Sequence, residues 1–141
     1  MKDLAWSNML SIGIDEFDSD HRKLVSLFNI LKHSVTGEHA PVYIATVLDE
    51  LINFTAWHFS HEERLMLKYS YKEYAKHKAE HRTLIKSAKE LQLKILRAGC
   101  HVEDEDIEFL ERWLTEHILD ADMRMGSYLV MNVNSHLAMH M

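Results

Sequence analysis

Apolar residues recur along most of this chain at steps of three and four, the pattern of amphipathic helices. The first such segment spans about residues 19–36. Asp18 and Ser19 are suited to cap its start, and Gly37 ends it. The second segment begins near Pro41, a residue tolerated in a first helical turn.

The third and fourth segments also carry helix-start signals. Residues 70–73, Ser-Tyr-Lys-Glu, have the spacing of a capping box before a segment that runs to Gly99. The acidic residues 103–106 favour a fourth helix start through the helix dipole. Because the breaks are short, consecutive helices are expected to be antiparallel neighbours.

The pattern therefore predicts an all-α fold, an antiparallel up-down-up-down four-helix bundle. The 141 residues are 47% hydrophobic with one proline and four glycines, which fits one helical domain with few breaks. We expect a domain over 1–130, made of an N-terminal arm (1–17) and the bundle (18–130), and a C-terminal tail over 131–141.

Composition also limits the possible functions. No apolar run is long enough to cross a bilayer and the N-terminus lacks a secretory signal, so the expected location is cytoplasmic. Cys100 is the single cysteine, so metal ligands must be nitrogen and oxygen. The net charge of −6 argues against a nucleic-acid partner.

The eleven histidines are the unusual feature of the composition. Seven potential metal ligands lie on or beside the apolar stripes: His21, His58, Glu62, His77, His81, His117 and Asp122. They fall early in helices one and three and late in helices two and four. An antiparallel bundle brings these positions to the same end.

Buried imidazoles and carboxylates are costly unless charge compensates them, and a metal ion does so. Imidazole with carboxylate suits iron, manganese or zinc. The alternative for each histidine is a hydrogen-bonded core residue. Asp122 is five residues after His117, about 140° away on an ideal helix, so a local widening of the helix or a bent side chain is needed.

Over about residues 4–130 the order of motifs resembles hemerythrins, specifically the bacterial single-domain form. The matching motifs are Asp18-x-x-His21, His58-Phe59-x-x-Glu62-Glu63, His77-x3-His81 and Trp113-Leu114-x-x-His117-Ile118-x3-Asp122. All seven ligand positions of that family are filled in order.

The resemblance implies a centre of two iron ions bridged by an oxo or hydroxo group. One iron would be bound by His77, His81 and His117, the other by His21 and His58, with Glu62 and Asp122 bridging both. The second iron would keep an open position for dioxygen. The implied dioxygen pocket is lined by Leu24, Phe59, Trp113, Leu114 and Ile118.

The expected function is therefore reversible dioxygen binding by a carrier, store or delivery protein, not an enzyme. An oxygen or redox sensor, or a scavenger of peroxide or nitric oxide, could use the same site, and the sequence does not separate these alternatives. A ferritin-type diiron oxidase is disfavoured, because that class uses Glu-x-x-His twice and this chain has none.

Some residues depart from the family pattern. Position 20 is Asp where a Gln or Glu is more usual, and position 125 is Met where Tyr is common. His61 is adjacent to Glu62, and we expect it to be exposed or to contact a ligand rather than the metal. His136 and His140 are assigned to the tail.

Overall fold

The computed structural model describes Leu4 and residues 11–139, and side chains as far as Met131. Its elements are α1 (Asp15–Thr36), α2 (Pro41–Lys68), α3 (Tyr74–Arg97), α4 (Asp104–His117), a π-helical turn (Ile118–Asp122) and α5 (Met123–Met139). Ile118 and Met123 keep helical backbone angles at the two junctions, so α4, the π turn and α5 form one continuous rod.

These rods form the predicted bundle. α1 packs against α2, α2 against α3, and α4 against both α1 and α3. The described residues contain helices and no strands. The all-α up-down-up-down four-helix fold is therefore confirmed.

The core at one end of the bundle is apolar. It is built from late α1, early α2, late α3 and early α4, and its central side chains are Phe28, Leu31, Leu48, Leu51, Leu91, Ile95, Ile107 and Leu110. We call it the apolar end. The opposite end contains the seven potential ligands, and we call it the ligand end.

The start of α1 differs from the prediction. The helix begins at Asp15, not near Ser19, and Asp18 does not cap it. Instead the Asp18 carboxylate accepts hydrogen bonds from Ser11 Oγ at 2.5 Å and from the Ile12 amide at 2.8 Å. Asp18 therefore ties the N-terminal arm to the bundle.

The capping box expected at residues 70–73 is also wrong. Ser70 has a φ of +54°, and its amide bonds to the Leu67 carbonyl, so it belongs to the turn that ends α2. α3 begins only at Tyr74. The predicted start of the fourth helix is confirmed, because α4 begins at Asp104. There the Asp106 carboxylate accepts the Glu103 amide at 3.1 Å.

The chain ends also bear on the expected arm and tail. The Leu4 amide and carbonyl bond to the Asn29 side chain at 2.9 and 2.8 Å, which places this part of the arm beside α1. The backbone of 131–139 continues α5, and the division into a domain and a tail stays a prediction. The side chain of His136 and all of His140 lie outside the described part of the chain.

No helix in the described residues is long and apolar enough to cross a membrane. The cytoplasmic location stays a prediction.

Candidate metal centre

All four rods of the bundle contribute to the ligand end. His21 comes from α1, His58 and Glu62 from α2, and the pair His77 and His81 from α3. The fourth rod supplies the remaining two residues, on either side of its π turn: His117 and Asp122. The structure therefore brings all seven sequence-predicted residues together.

The seven side chains form two overlapping groups in which the potential ligand atoms lie within 4.8 Å of one another. One group is Glu62, His77, His81, His117 and Asp122, and the other is His21, His58, Glu62 and Asp122. Both carboxylates belong to both groups. Two cation positions that share two carboxylates are the arrangement that a dinuclear metal site requires.

Asp122 reaches both groups with different oxygens. Its Oδ1 lies 3.0 Å from His117 Nε2 and 3.1 Å from His77 Nε2, and its Oδ2 lies 3.1 Å from His21 Nε2. The carboxylate is 1% exposed. Asp122 is therefore positioned between the groups.

Glu62 connects the same groups from α2. Its Oε1 lies 3.2 Å from His81 Nε2 and 3.4 Å from His58 Nε2, and the side chain is fully buried. One carboxylate oxygen thus faces an imidazole of each group.

The π turn explains how Asp122 reaches this position. Five residues separate it from His117, whereas an α-helix repeats a face after three or four. The wider turn at Ile118–Asp122 takes up the extra residue, so that both side chains point into the cluster. The local widening predicted from the spacing is confirmed.

The hydrogen bonding of the cluster fits a metal. In the described residues, the buried side-chain nitrogen and oxygen atoms without a hydrogen-bond partner all belong to these seven residues. They include the Nε2 of every histidine and both oxygens of each carboxylate. Buried polar atoms are rarely left unpaired, because the loss costs about 1–3 kcal/mol each.

Two of the histidines show most clearly why their Nε2 atoms have no hydrogen-bond partner. His58 Nδ1 faces Asp20 Oδ2 at 2.7 Å, and His81 Nδ1 faces Glu63 Oε2 at 3.0 Å. A neutral imidazole that donates from Nδ1 presents a lone pair at Nε2. Both Nε2 lone pairs face the Glu62 carboxyl group, and a cation between them would give all three groups a partner.

The cluster perturbs the pKa values of Glu62, His81 and Asp122. Burial raises the pKa of Glu62 well above its usual range, and the nearby Asp122 carboxylate adds to the effect. Burial also lowers the pKa of His81 to about 2, with His77 and His117 contributing. Neutral imidazole is the form that binds metal, so His81 needs no deprotonation at neutral pH.

The pKa of Asp122 shifts in the opposite direction to that of Glu62. Burial alone would raise its pKa, but the His117, His21 and His77 imidazoles outweigh burial and hold the pKa well below its usual range. A cation bound at the cluster would favour the charged form of both carboxylates.

A small cavity adjoins the His21 and His58 side of the cluster. Its free volume is about 10 Å³, close to what one water-sized molecule needs. All five residues expected around a dioxygen pocket line it: Leu24, Phe59, Trp113, Leu114 and Ile118. The structure therefore places these residues around one space together with Thr55, and their role in binding dioxygen stays a prediction.

Hydrogen bonds fix the polar groups beside this cavity. Trp113 Nε1 donates to the Leu84 carbonyl at 2.9 Å, and Thr55 Oγ1 donates to the Leu51 carbonyl at 2.7 Å. Phe59 stacks on the His81 ring, with centroids 3.8 Å apart. The cavity wall is consequently rigid and mainly apolar.

Sequence reasoning missed the roles of three residues near the ligands. Asp20 and Glu63 accept from histidine Nδ1 atoms, and His61, expected to be exposed or to contact a ligand, is nearly buried against Asp20. The available signal was an acidic residue directly beside a ligand: Asp20 precedes His21, and Glu63 follows Glu62.

Fold and site together define a class, the four-helix bundles that hold a histidine-rich metal cluster at one end. Residues 12–129 match a family described as the hemerythrin HHE cation binding domain. The chain belongs to the hemerythrin family, whose members bind non-haem iron.

Individual relatives agree with this assignment. A bacteriohemerythrin of Stenotrophomonas maltophilia is 33% identical over 137 residues, covering 97% of this chain and 88% of that protein. One of Pseudomonas paraeruginosa is 37% identical over 123 residues, covering 86% and 78%. A wild-type hemerythrin crystal structure superposes with a TM-score of 0.81 at 28% identity, covering 89% of this chain and 97% of that one.

Proposed function

We propose that this chain is a non-haem diiron protein that binds dioxygen reversibly and serves as a carrier, store or delivery protein. The observation that carries the proposal is the pair of ligand groups sharing Glu62 and Asp122 beside an apolar cavity. Residues 1–130 are the proposed functional domain.

The proposed ligand set divides unequally between two irons. His77, His81 and His117 would hold one ion and His21 and His58 the other, and both carboxylates would be shared between the two. The first ion thus has five protein ligands and the second has four. Iron supplies reversible redox chemistry, and the lower ligand count leaves the second ion open to an external molecule.

The position of the cavity supports this asymmetry. His21 and His58, both histidines of the ion with fewer ligands, line the cavity, whereas His117 is the one histidine of the other three that does. The cavity therefore adjoins the residues that would hold the second ion. The size of the cavity restricts an external molecule to a very small one.

The apolar wall has a further role in the proposal. Leu24, Leu114 and Ile118 are at most 5% exposed and offer no proton donor to a molecule in the cavity. Excluding water and protons prevents side reactions that would consume the bound molecule. Reversible binding, as opposed to turnover, depends on this exclusion.

The test is an optical spectrum of the reduced, iron-loaded protein through repeated addition and removal of dioxygen. A new visible band that appears with dioxygen and disappears on its removal over several cycles supports the proposal. Immediate one-way oxidation contradicts it and favours a sensor or a scavenger using the same centre.

A further inference from the structure

His61 is outside the two ligand groups, yet it is almost buried beside them. Its side chain is 10% exposed, and its ring contacts Phe17 and Trp57 at centroid distances of 4.8 and 5.4 Å. Its Nδ1 lies 2.8 Å from Asp20 Oδ2, and its Nε2 lies 3.2 Å from the half-exposed Glu16 Oε2. The same Asp20 oxygen lies 2.7 Å from His58 Nδ1. One carboxylate oxygen of Asp20 therefore accepts hydrogen bonds from two imidazoles.

The direction of these bonds follows from their chemistry. An ionised carboxylate only accepts, so each Nδ1 donates, and the proton of a neutral ring is then on Nδ1. For His58 this leaves the Nε2 lone pair facing Glu62, where the metal is proposed to bind. A carboxylate behind a metal-bound imidazole orients the ring and strengthens it as a ligand.

We propose that His61 is a positioning residue of the metal centre, which acts by sharing the Asp20 carboxylate with His58. The second bond divides the charge of the Asp20 carboxylate between two imidazoles. His58 is then a weaker electron donor than it is with an undivided carboxylate. The inference rests on the proposed role of His58 as a metal ligand.

The equivalent contact on the other ligand group differs. His81 Nδ1 bonds to Glu63 Oε2, and the other Glu63 oxygen lies 3.9 Å from Lys78 Nζ. The contacts described for Glu63 include no second imidazole. Sharing of a carboxylate between histidines is therefore a property of the His21 and His58 side, the side next to the cavity.

Three substitutions separate donation from packing. His61→Phe removes the donor and keeps an aromatic ring against Phe17. His61→Asn keeps an amide donor close to the position of Nδ1 and serves as the rescue variant. Asp20→Asn keeps a side chain of the same shape and removes its charge. His101→Phe, at an exposed histidine, is the control for loss of a histidine.

The first measurement is the anaerobic affinity of the full chain for ferrous iron, by competition with a coloured chelator. Asp20→Asn should weaken binding by about 10- to 100-fold. His61→Phe should change the affinity in the opposite direction, because the whole carboxylate then acts on His58. His61→Asn and His101→Phe should match the unaltered chain. Weaker binding by His61→Phe, or no change, overturns the proposal.

The second measurement needs no metal. NMR of the imidazole nitrogens in the metal-free chain should show His58 and His61 protonated at Nδ1, and His58 should stay so in His61→Phe. A His58 proton on Nε2 overturns the proposal. Absence of iron uptake by the unaltered chain overturns both proposals. Loss of reversible dioxygen binding with these affinities intact contradicts the proposed function alone.

Discussion

The two ends of the bundle are built from the same four rods but bury opposite kinds of side chain. At the apolar end, Phe28 and Leu48 are fully buried in a core of aliphatic and aromatic side chains. At the ligand end, equally buried positions hold imidazoles and carboxylates whose inner atoms lack hydrogen-bond partners. The contrast teaches that one end supplies stability without metal, while the other end depends on metal for its stability.

The largest expected effect comes from replacing a residue that both ligand groups share. Glu62→Ala should abolish the paired site, because it removes one ligand from each ion and leaves His58 and His81 without a bridge. Iron content measured by elemental analysis should fall well below that of the unaltered chain. Glu50→Ala, at an exposed position of the same helix, is the control.

His61→Ala provides the sharper comparison for the same experiment. It removes contacts to Asp20, Glu16 and two aromatic rings but no proposed metal ligand, so the chain should keep its iron. Equal iron loss in Glu62→Ala and His61→Ala would show that the ligand on α2 has been assigned to the wrong residue.

Removal of metal should affect the two ends differently. Metal bound only to the native state stabilises it by about 4 kcal/mol when free metal is a thousand times its dissociation constant. The metal-free chain should stay helical, melt at a lower temperature and lose amide protection first around His21, His58, His77 and His117. Hydrogen exchange on metal-free and iron-loaded samples measures this. Uniform loss along all four rods would contradict a localised site.

A substitution that creates a cavity at the apolar end should lower stability without changing iron binding. Leu48→Ala removes a fully buried side chain far from the ligands, and we expect a loss of about 2–5 kcal/mol in the free energy of unfolding. Iron stoichiometry should be unchanged. Chemical denaturation of the iron-loaded chain, with Val42→Ala at an exposed position as control, gives the comparison. Loss of iron at this distance would show that the ends are not independent.

The smallest expected effect concerns the turn between α2 and α3. Tyr128 donates from its hydroxyl to the Tyr69 carbonyl at 2.7 Å, tying α5 to this turn at the ligand end. Tyr128→Phe should cost about 0.5–1.5 kcal/mol, the usual net contribution of one hydrogen bond. Tyr43→Phe at the apolar end, where the side chain is 45% exposed, should cost less. Equal losses in denaturation would contradict a role for this bond.

The ligand end was predictable from sequence where helical geometry alone decides positions. Steps of three and four placed the histidines on inward faces, and antiparallel neighbours brought them to one level. The five-residue spacing from His117 to Asp122 indicated a widened helix or a bent side chain, and the structure contains the widened turn. The family resemblance named the five cavity residues before their positions were known.

Other features depend on contacts between distant residues, which spacing does not encode. Asp18 and Ser70 are both good helix caps by residue type. Asp18 instead accepts a hydrogen bond from the N-terminal arm, and Ser70 lies in the turn after α2. Asp20 and His61 meet although they are 41 residues apart in the chain. A local pattern cannot predict such a choice between competing partners.

The central claim is that the ligand end holds two metal ions that share Glu62 and Asp122. Its most direct test is an anaerobic titration of the metal-free chain with ferrous iron, followed by elemental analysis after removal of loosely bound metal. We predict saturation at two irons per chain. Saturation at one iron, or no tight binding, would contradict it.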